Sequence, residues 1–336
     1  MKKENLIGTN VNSLLLDRNL ALEAVRVTEI AAIASSFHMG RGNEKAADQS
    51  AVNAMRDFLN DLDINGKVVI GEGERDKAPM LYIGEKVGKG GVNVDIALDP
   101  LEGTTITAQG GENALSVLAI GEEDSFLHAP DIYMKKIAYG YKYENLEINI
   151  DDEPKKIIND FSKYSKIRQE NIVVCILDRS RHNDLIDNVR STGARIKLIP
   201  DGDVSAVIAT SMDDSGIDLY MGTGGSPEGV LAAAALRCLG GKIYTKLIYD
   251  SDESFERAKK MGVLQKNKIY ETNDLAKGDV MFSATGVTDG TLLKGVRIID
   301  DIAHTQSVVM RSQTSTVRKI SAKHNLNIKK YRSYFQ

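Results

Sequence analysis

Three observations predict an α/β fold. From Asn171 onward, β-branched apolar runs alternate with helical patterns: strands at residues 172–177, 195–199 and 217–221, and helices beginning at Asn183 and Val204. That alternation is the pattern of a parallel or mixed sheet covered by helices. Two earlier runs, 67–70 and 92–98, read as strands that end in Gly71-Glu72-Gly73-Glu74 and in Asp99-Pro100. Before them, Leu16, Leu20, Ala24, Val27 and Ala31 recur at helical spacing, which predicts a long amphipathic helix over residues 13–36.

Taken in order, Gly40-Arg41-Gly42-Asn43 breaks that first helix, and a second is predicted over 44–59. Val52, Met55 and Leu59 share one of its stripes, and Asp48, four residues before Val52, falls on the same stripe. A carboxylate facing a core is costly unless it is paired or holds a metal. The competing reading is an acid near a helix start, favoured by the dipole. The strand at 92–98 is expected to stop at Pro100, which cannot donate to a ladder, and Glu102-Gly103-Thr104 to open a helix. Residues 113–120 read as a strand, 129–133 as a loop and 137–143 as a further strand. The polar run 151–156 marks a boundary between an N-terminal α+β half, 1–160, and a C-terminal α/β half, 161–336. A charged helix at 250–259 and strands at 280–283 and 296–299 complete the reading.

Composition narrows the function. The chain has 336 residues, 42% of them hydrophobic and 27% charged, which is ordinary for a soluble globular protein. A net charge of −4 argues against a nucleic-acid partner. The longest aliphatic run, 230–236, is too short to span a bilayer, so no membrane partner is expected. Cys175 and Cys238 lie in apolar surroundings and read as core thiols of a cytoplasmic protein. The five histidines are too scattered for a zinc site.

Chemistry concentrates at the strand ends. Glu72, Asp99 and Glu102 are delivered to one sheet edge, where crowded carboxylates repel one another unless cations hold them. Oxygen-only ligands point to Mg2+ or Mn2+. The amides of Gly103, Thr104 and Thr105, at a helix start, suit phosphate. Carboxylates for metal beside amides for phosphate suggest metal-assisted phosphoryl hydrolysis. A third acidic stretch, Gly222-Thr223-Gly224-Gly225-Ser226-Pro227-Glu228-Gly229, leads into a helix. Ser226 is expected to cap it, Pro227 suits its first position, and Glu228 is either a ligand or a helix-end acid. Its four glycines suggest a backbone that comes close to something. Arg179 and Arg181 suit a phosphate clamp, or are surface arginines paired with Asp178 or Asp184, and Asp201 and Asp203 suit sugar hydroxyls or form a plain Asp-Gly turn.

These motifs, with Ala78-Pro79-Met80-Leu81-Tyr82 and Phe282-Ser283-Ala284-Thr285-Gly286, resemble those of the lithium-sensitive, metal-dependent phosphomonoesterase superfamily. Within it the chain is similar to the bacterial class II fructose-1,6-bisphosphatases from about Val27 to Arg318. The resemblance implies the sugar-phosphatase fold, a layered αβαβα sandwich. It implies hydrolysis of the 1-phosphate of fructose 1,6-bisphosphate in gluconeogenesis, by water attack assisted by two cations, Mn2+ or Mg2+. By that similarity Asp48, Glu72, Asp99, Glu102 and Glu228 would be metal ligands. Thr104, Asp48 and Glu72 would take part in catalysis. Substrate would meet Glu102, Gly103, Thr104, Tyr133, Arg179, Ser180, Arg181, Asp201, Gly202, Asp203 and Gly225. The partner would be a small sugar bisphosphate, and the protein a homo-oligomer, dimer or tetramer. Glu44, Thr105, Arg179 and Ser180 depart from residues frequent in the family and bear on the second phosphate. Sedoheptulose 1,7-bisphosphatase and inositol-monophosphatase-like activity are the alternatives, with a non-catalytic sugar-phosphate sensor as a further rival.

Overall fold

The computed structural model describes residues 19–73, 79–328 and 334. Two helices open the described chain, α1 (Leu20–Ser36) and α2 (Glu44–Leu59), packed against each other. The helix expected from residue 13 is present from Leu20; residues 13–18 lie outside the described residues. Asn43 starts α2 by accepting the Ala46 N–H on its side chain at 3.0 Å. Strands β1 (Ile64–Ile70), β2 (Lys86–Val87) and β3 (Val92–Glu102) follow, then the short helix α3 (Thr104–Gln109) and β4 (Leu115–Gly121).

Strand β5 (Tyr133–Tyr139) begins a second sheet. Helix α4 (Pro154–Ser165) leads to β6 (Val173–Leu177), α5 (Asn183–Arg190), β7 (Arg195–Ile199) and α6 (Asp203–Ala209). Then come β8 (Leu219–Gly225), α7 (Ser226–Leu239), β9 (Lys242–Ile248), α8 (Asp252–Lys260), β10 (Ile269–Glu271) and α9 (Thr272–Leu275). The chain returns to the first sheet with β11 (Val280–Gly286), β12 (Arg297–Ile299), β13 (Ile302–Arg311) and β14 (Thr316–Asn325). The first sheet runs β12-β13-β11-β4-β3-β1-β2, with β14 beside β13; the second runs β10-β9-β5-β8-β6-β7. Both are mixed: β1–β3, β6–β7 and β6–β8 are parallel, and the other pairings are antiparallel.

Neighbouring residues of a strand point to opposite faces, and the buried residues sort accordingly. Val68, Ile96, Leu98 and Leu118 join a core with α1 and α2, while Val69, Ala97, Val117 and Ala119 join a second core with α6 and α7. That second core also takes in Met134, Ala138, Cys175 and Tyr220 of the other sheet, whose far face packs Ile137, Val174 and Ile176 against α4 and α5. The layers are therefore α1/α2, first sheet, α6/α7, second sheet, α4/α5, the αβαβα sandwich that the resemblance implied.

Several boundaries differ from expectation. β3 does not stop at Pro100. It continues to Glu102 through a register shift between Asp99 and Glu102, so the proline sits in an irregular stretch where its missing N–H is tolerated. The strand placed at 137–143 starts at Tyr133 and ends at Tyr139, because Lys135 and Lys136 belong to it. The polar run 151–156 leads straight into α4, which has Pro154 in its first turn and buries Ile157, Ile158 and Phe161. The 160/161 division falls inside this helix. β9 and the long β13–β14 hairpin were not expected.

Ala232, Ala233, Ala234 and Ala235 of α7 are all buried between the two sheets. Ala234→Leu is expected to overpack this layer and cost about 1–3 kcal/mol. Leu22→Ala, on the exposed side of α1, should stay within about 0.5 kcal/mol. Urea unfolding of the two variants checks the difference.

Candidate active site

Each strand end that delivers a carboxylate is shaped by glycine. At the end of β1 the Glu72 N–H donates to the Leu81 carbonyl at 3.0 Å. A Cβ on Gly71 would lie 2.3 Å from that same oxygen, so only glycine fits. In β3 the Leu101 N–H donates to Asp99 Oδ1 at 3.0 Å, which fixes Asp99 within the irregular stretch. Gly103 then takes a left-handed φ of +94° and turns the chain into α3. At the end of β8, a Cβ on Gly224 would meet Asp203 Oδ2 at 2.2 Å and one on Gly225 would meet Glu228 Oε2 at 2.0 Å. The glycines of this loop thus let the backbone lie against the protein's own carboxylates. Ser226 does not cap α7, as had been expected. Gly225 is the cap residue, and the Ser226 hydroxyl donates to the Pro130 carbonyl.

These ends enclose a cleft of about 350 Å3. Asp48, Glu72, Asp99, Glu102, Asp131, Asp201, Asp203 and Glu228 line it, together with Gly103 and Thr104, and no lysine or arginine is among its described lining residues. All five expected metal ligands are therefore in one place. Burial raises the pKa of Asp48. Burial and the neighbouring Asp48 push Glu72 up to about 7. Asp99 is raised well above the carboxylate range by burial, then by Glu72 and Glu228. Glu102 is raised well above it too, by burial, then Asp203 and Asp99. Burial and Asp203 raise Glu228, against the pull of Lys136.

The donor set is all carboxylate oxygen, which fits a hard divalent cation. Glu102 Oε2 and Glu228 Oε2 are buried without a hydrogen-bond partner, as oxygens reserved for such an ion would be. Among the described residues, no three acidic, histidine or cysteine side chains stand close enough to close around an ion unaided. The side chains share the cleft but are not drawn together.

The residues expected to meet substrate divide into two groups. Gly103, Thr104, Glu102, Asp201 and Asp203 line the cleft; Tyr133, Arg179, Ser180, Arg181, Gly202 and Gly225 are not among its described lining residues. Thr104 opens α3 without capping it, and among the described residues no hydrogen bond joins it to Asp48. An Arg179 nitrogen lies 3.7 Å from Asp201 Oδ1. Arg181 donates twice to the Thr223 carbonyl, at 3.1 and 2.8 Å, and stacks 4.8 Å above the Tyr133 ring. Ser180 begins a single turn, Ser180–His182, and is not among the described residues that line the cleft.

Asp131 and Lys136 escaped the sequence reading, and His182 ends a strand-end stretch, 178–182, of which only Arg179, Ser180 and Arg181 were singled out. Asp131 lines the cleft from a loop whose sequence carries no motif. His182 accepts the Thr223 N–H on Nε2 at 2.8 Å while Nδ1 lies 2.8 Å from the Leu177 carbonyl, tying β6 to β8 beside the arginines. Lys136 is fully buried and donates to Asp203 Oδ2 at 2.6 Å.

Comparison with known proteins gives this geometry a context. A family model of bacterial fructose-1,6-bisphosphatases, glpX-encoded, matches residues 18–324. A protein of Synechococcus sp. (strain JA-3-3Ab), named D-fructose 1,6-bisphosphatase class 2/sedoheptulose 1,7-bisphosphatase, is 42% identical over 335 residues, covering 92% of this chain and 96% of its own. One of the same name from Gloeobacter violaceus (strain ATCC 29082 / PCC 7421) is 42% identical over 338 residues, 93% of this chain and 97% of its own. With every carboxylate of the cleft inside the matched span, the chain belongs to the glpX-encoded bacterial fructose-1,6-bisphosphatases, a family of metal-dependent phosphatases.

Proposed function

We infer that the cleft hydrolyses the 1-phosphate of fructose 1,6-bisphosphate, releasing fructose 6-phosphate and phosphate. One observation carries this beyond family membership: among the described residues that line the cleft, eight are acidic and none is a lysine or arginine. An anionic substrate is repelled from such a surface unless cations intervene. In this reading Asp48, Glu72, Asp99, Glu102 and Glu228 hold Mn2+ or Mg2+. When bound, such ions polarise phosphoryl oxygens and neutralise the charge that develops on them. The chain's own groups do the rest. The amides of Gly103 and Thr104 hold the phosphate that is cut, and the Thr104 hydroxyl orients the attacking water. Asp48, with Glu72 beside it, takes the proton. Asp201, Gly202, Asp203 and Gly225 hold the sugar, while Tyr133, Arg179, Ser180 and Arg181 meet the second phosphate.

In this reading residues 1–160 supply four of the five metal ligands together with Gly103, Thr104 and Tyr133, and 161–336 supply Glu228 and the remaining substrate contacts. The double name of the two relatives favours sedoheptulose 1,7-bisphosphate as a second substrate. A cytoplasmic location fits the two buried free thiols, Cys175 and Cys238. A homo-oligomer, dimer or tetramer, fits the open edge at β14, where Val317 is exposed. No helix of the described residues is long and apolar enough to cross a membrane.

Phosphate release should stop in excess chelator and return with Mn2+ or Mg2+. Fructose 1,6-bisphosphate, its seven-carbon homologue and inositol 1-phosphate, assayed side by side, separate the alternatives. Full turnover by metal-free protein would refute the reading.

Thr104→Ala should lower kcat by about 10²-fold or more with KM changed far less, and Thr104→Ser should retain much of the activity. Alanine turning over at the wild-type rate would leave Thr104 without a chemical role.

The crowded carboxylates also set a pH dependence. Glu72 ionises near 7 in the fold, against an ordinary value of 4.5, so the fold binds more protons than the unfolded chain between those values. That stability is present below pH 4.5 and is lost as pH rises through 7. The Tm of metal-free protein should therefore fall between pH 5 and 8, and Mn2+ should flatten the decline (both checked by calorimetry).

A further inference from the structure

Lys136 is fully buried in β5, beneath the cleft. A lysine in that position is costly unless its charge is matched. Its match is Asp203, and the recorded contacts of that carboxylate, from Lys136 at 2.6 Å and from the Tyr220 hydroxyl at 3.5 Å, both fall on Oδ2. Oδ1 is left for the cleft that Asp203 lines. The surroundings are built around this pair. A Cβ on Gly224 would stand 2.2 Å from Asp203 Oδ2 and 3.2 Å from Lys136 Nζ. One on Gly229 would stand 3.3 Å from Lys136 Cε and 2.5 Å from Met134 Sδ. Two glycines from two elements therefore clear the space in which the ammonium and the carboxylate meet.

We propose that Lys136 is a positioning residue for substrate recognition: it pins Oδ2 of Asp203 from below, so that Oδ1 faces the cleft as a fixed acceptor for a sugar hydroxyl. A pinned carboxylate has lost its rotational freedom before substrate arrives, so binding need not order it. A free one would sample other rotamers, and the cost of ordering it would fall on binding. The proposal rests on the reading that the cleft binds a sugar bisphosphate. It assigns Lys136 no contact with substrate and no part in the chemical step.

Lys136→Met, Asp203→Asn and their double variant are compared with wild type in Mn2+-loaded protein. Turnover of fructose 1,6-bisphosphate and calorimetric affinity for fructose 6-phosphate are measured for each. Lys136→Met should raise KM and weaken fructose 6-phosphate binding by about tenfold or more, the scale of one lost charged hydrogen bond, with kcat within about threefold of wild type. Asp203→Asn should do the same, and the double variant should be no worse than either single one. If Lys136→Met does not fold, Gly224→Ala decides instead, since it displaces Asp203 while keeping the lysine charge and should show the same rise in KM. Unchanged KM and affinity in the variant that folds would overturn the proposal, as would additive losses in the double variant or a loss confined to kcat. Wild-type protein that neither turns over the bisphosphate nor binds fructose 6-phosphate would refute the functional reading itself, and this proposal with it.

Discussion

Helix α7 is compressed from both sides, and the rest of the molecule is arranged around that constraint. Val230 to Leu236 are all buried because one sheet lies above the helix and another below it. Such a helix is apolar around its whole circumference. Its alanine run keeps it thin enough for both sheets to reach each other's neighbours. Fixed in this way, its first turn places Glu228 against the end of β8, in the cleft formed by the ends of β1 and β3. The cleft thus lies where strands end and helices begin, the position that α/β layers generally give to ligands.

The price of this arrangement is electrostatic. Burial and mutual repulsion raise Glu72, Asp99, Glu102 and Glu228 together. Internal compensation is small: the Val204 N–H reaches Glu102 Oε1 at 3.2 Å, and Lys136 offsets part of the charge near Asp203 and Glu228. The unpartnered oxygens of Glu102 and Glu228 are what remains. A fold selected for stability alone would pair or remove them. Their retention makes sense in a family whose members work with metal ions.

Much of this was legible in the sequence because the constraints at strand ends are written in glycine and proline. Gly71, Gly103, Gly224 and Gly225 each solve a backbone problem that other residues cannot, so they marked the turns from which Glu72, Glu102 and Glu228 project. Asp48 was legible as a carboxylate on an apolar stripe. What stayed hidden was polar chemistry in the core. Thr28, Ser283, Thr285 and Ser307 form a buried chain of hydroxyls, with 2.8 Å steps from Thr28 to Thr285 and from Thr285 to Ser307. Core positions of β13 filled by such residues, including Thr305, lack the apolar alternation of a strand. Lys136 was invisible for a similar reason, since nothing local to Met134-Lys135-Lys136-Ile137 says which lysine faces Asp203.

The return of the chain to its first sheet has a consequence for synthesis. The second sheet, β5 to β10, is contiguous in sequence, whereas the first is interrupted after β4 and completed only by β11 to β14. A chain emerging from the ribosome N-terminus first can close the later sheet while the earlier one still has an open edge at β4. Asp48, Glu72, Asp99 and Glu102 all lie on elements made before that interruption. The oldest part of the nascent protein, which carries most of the carboxylates, is therefore the last to be sealed.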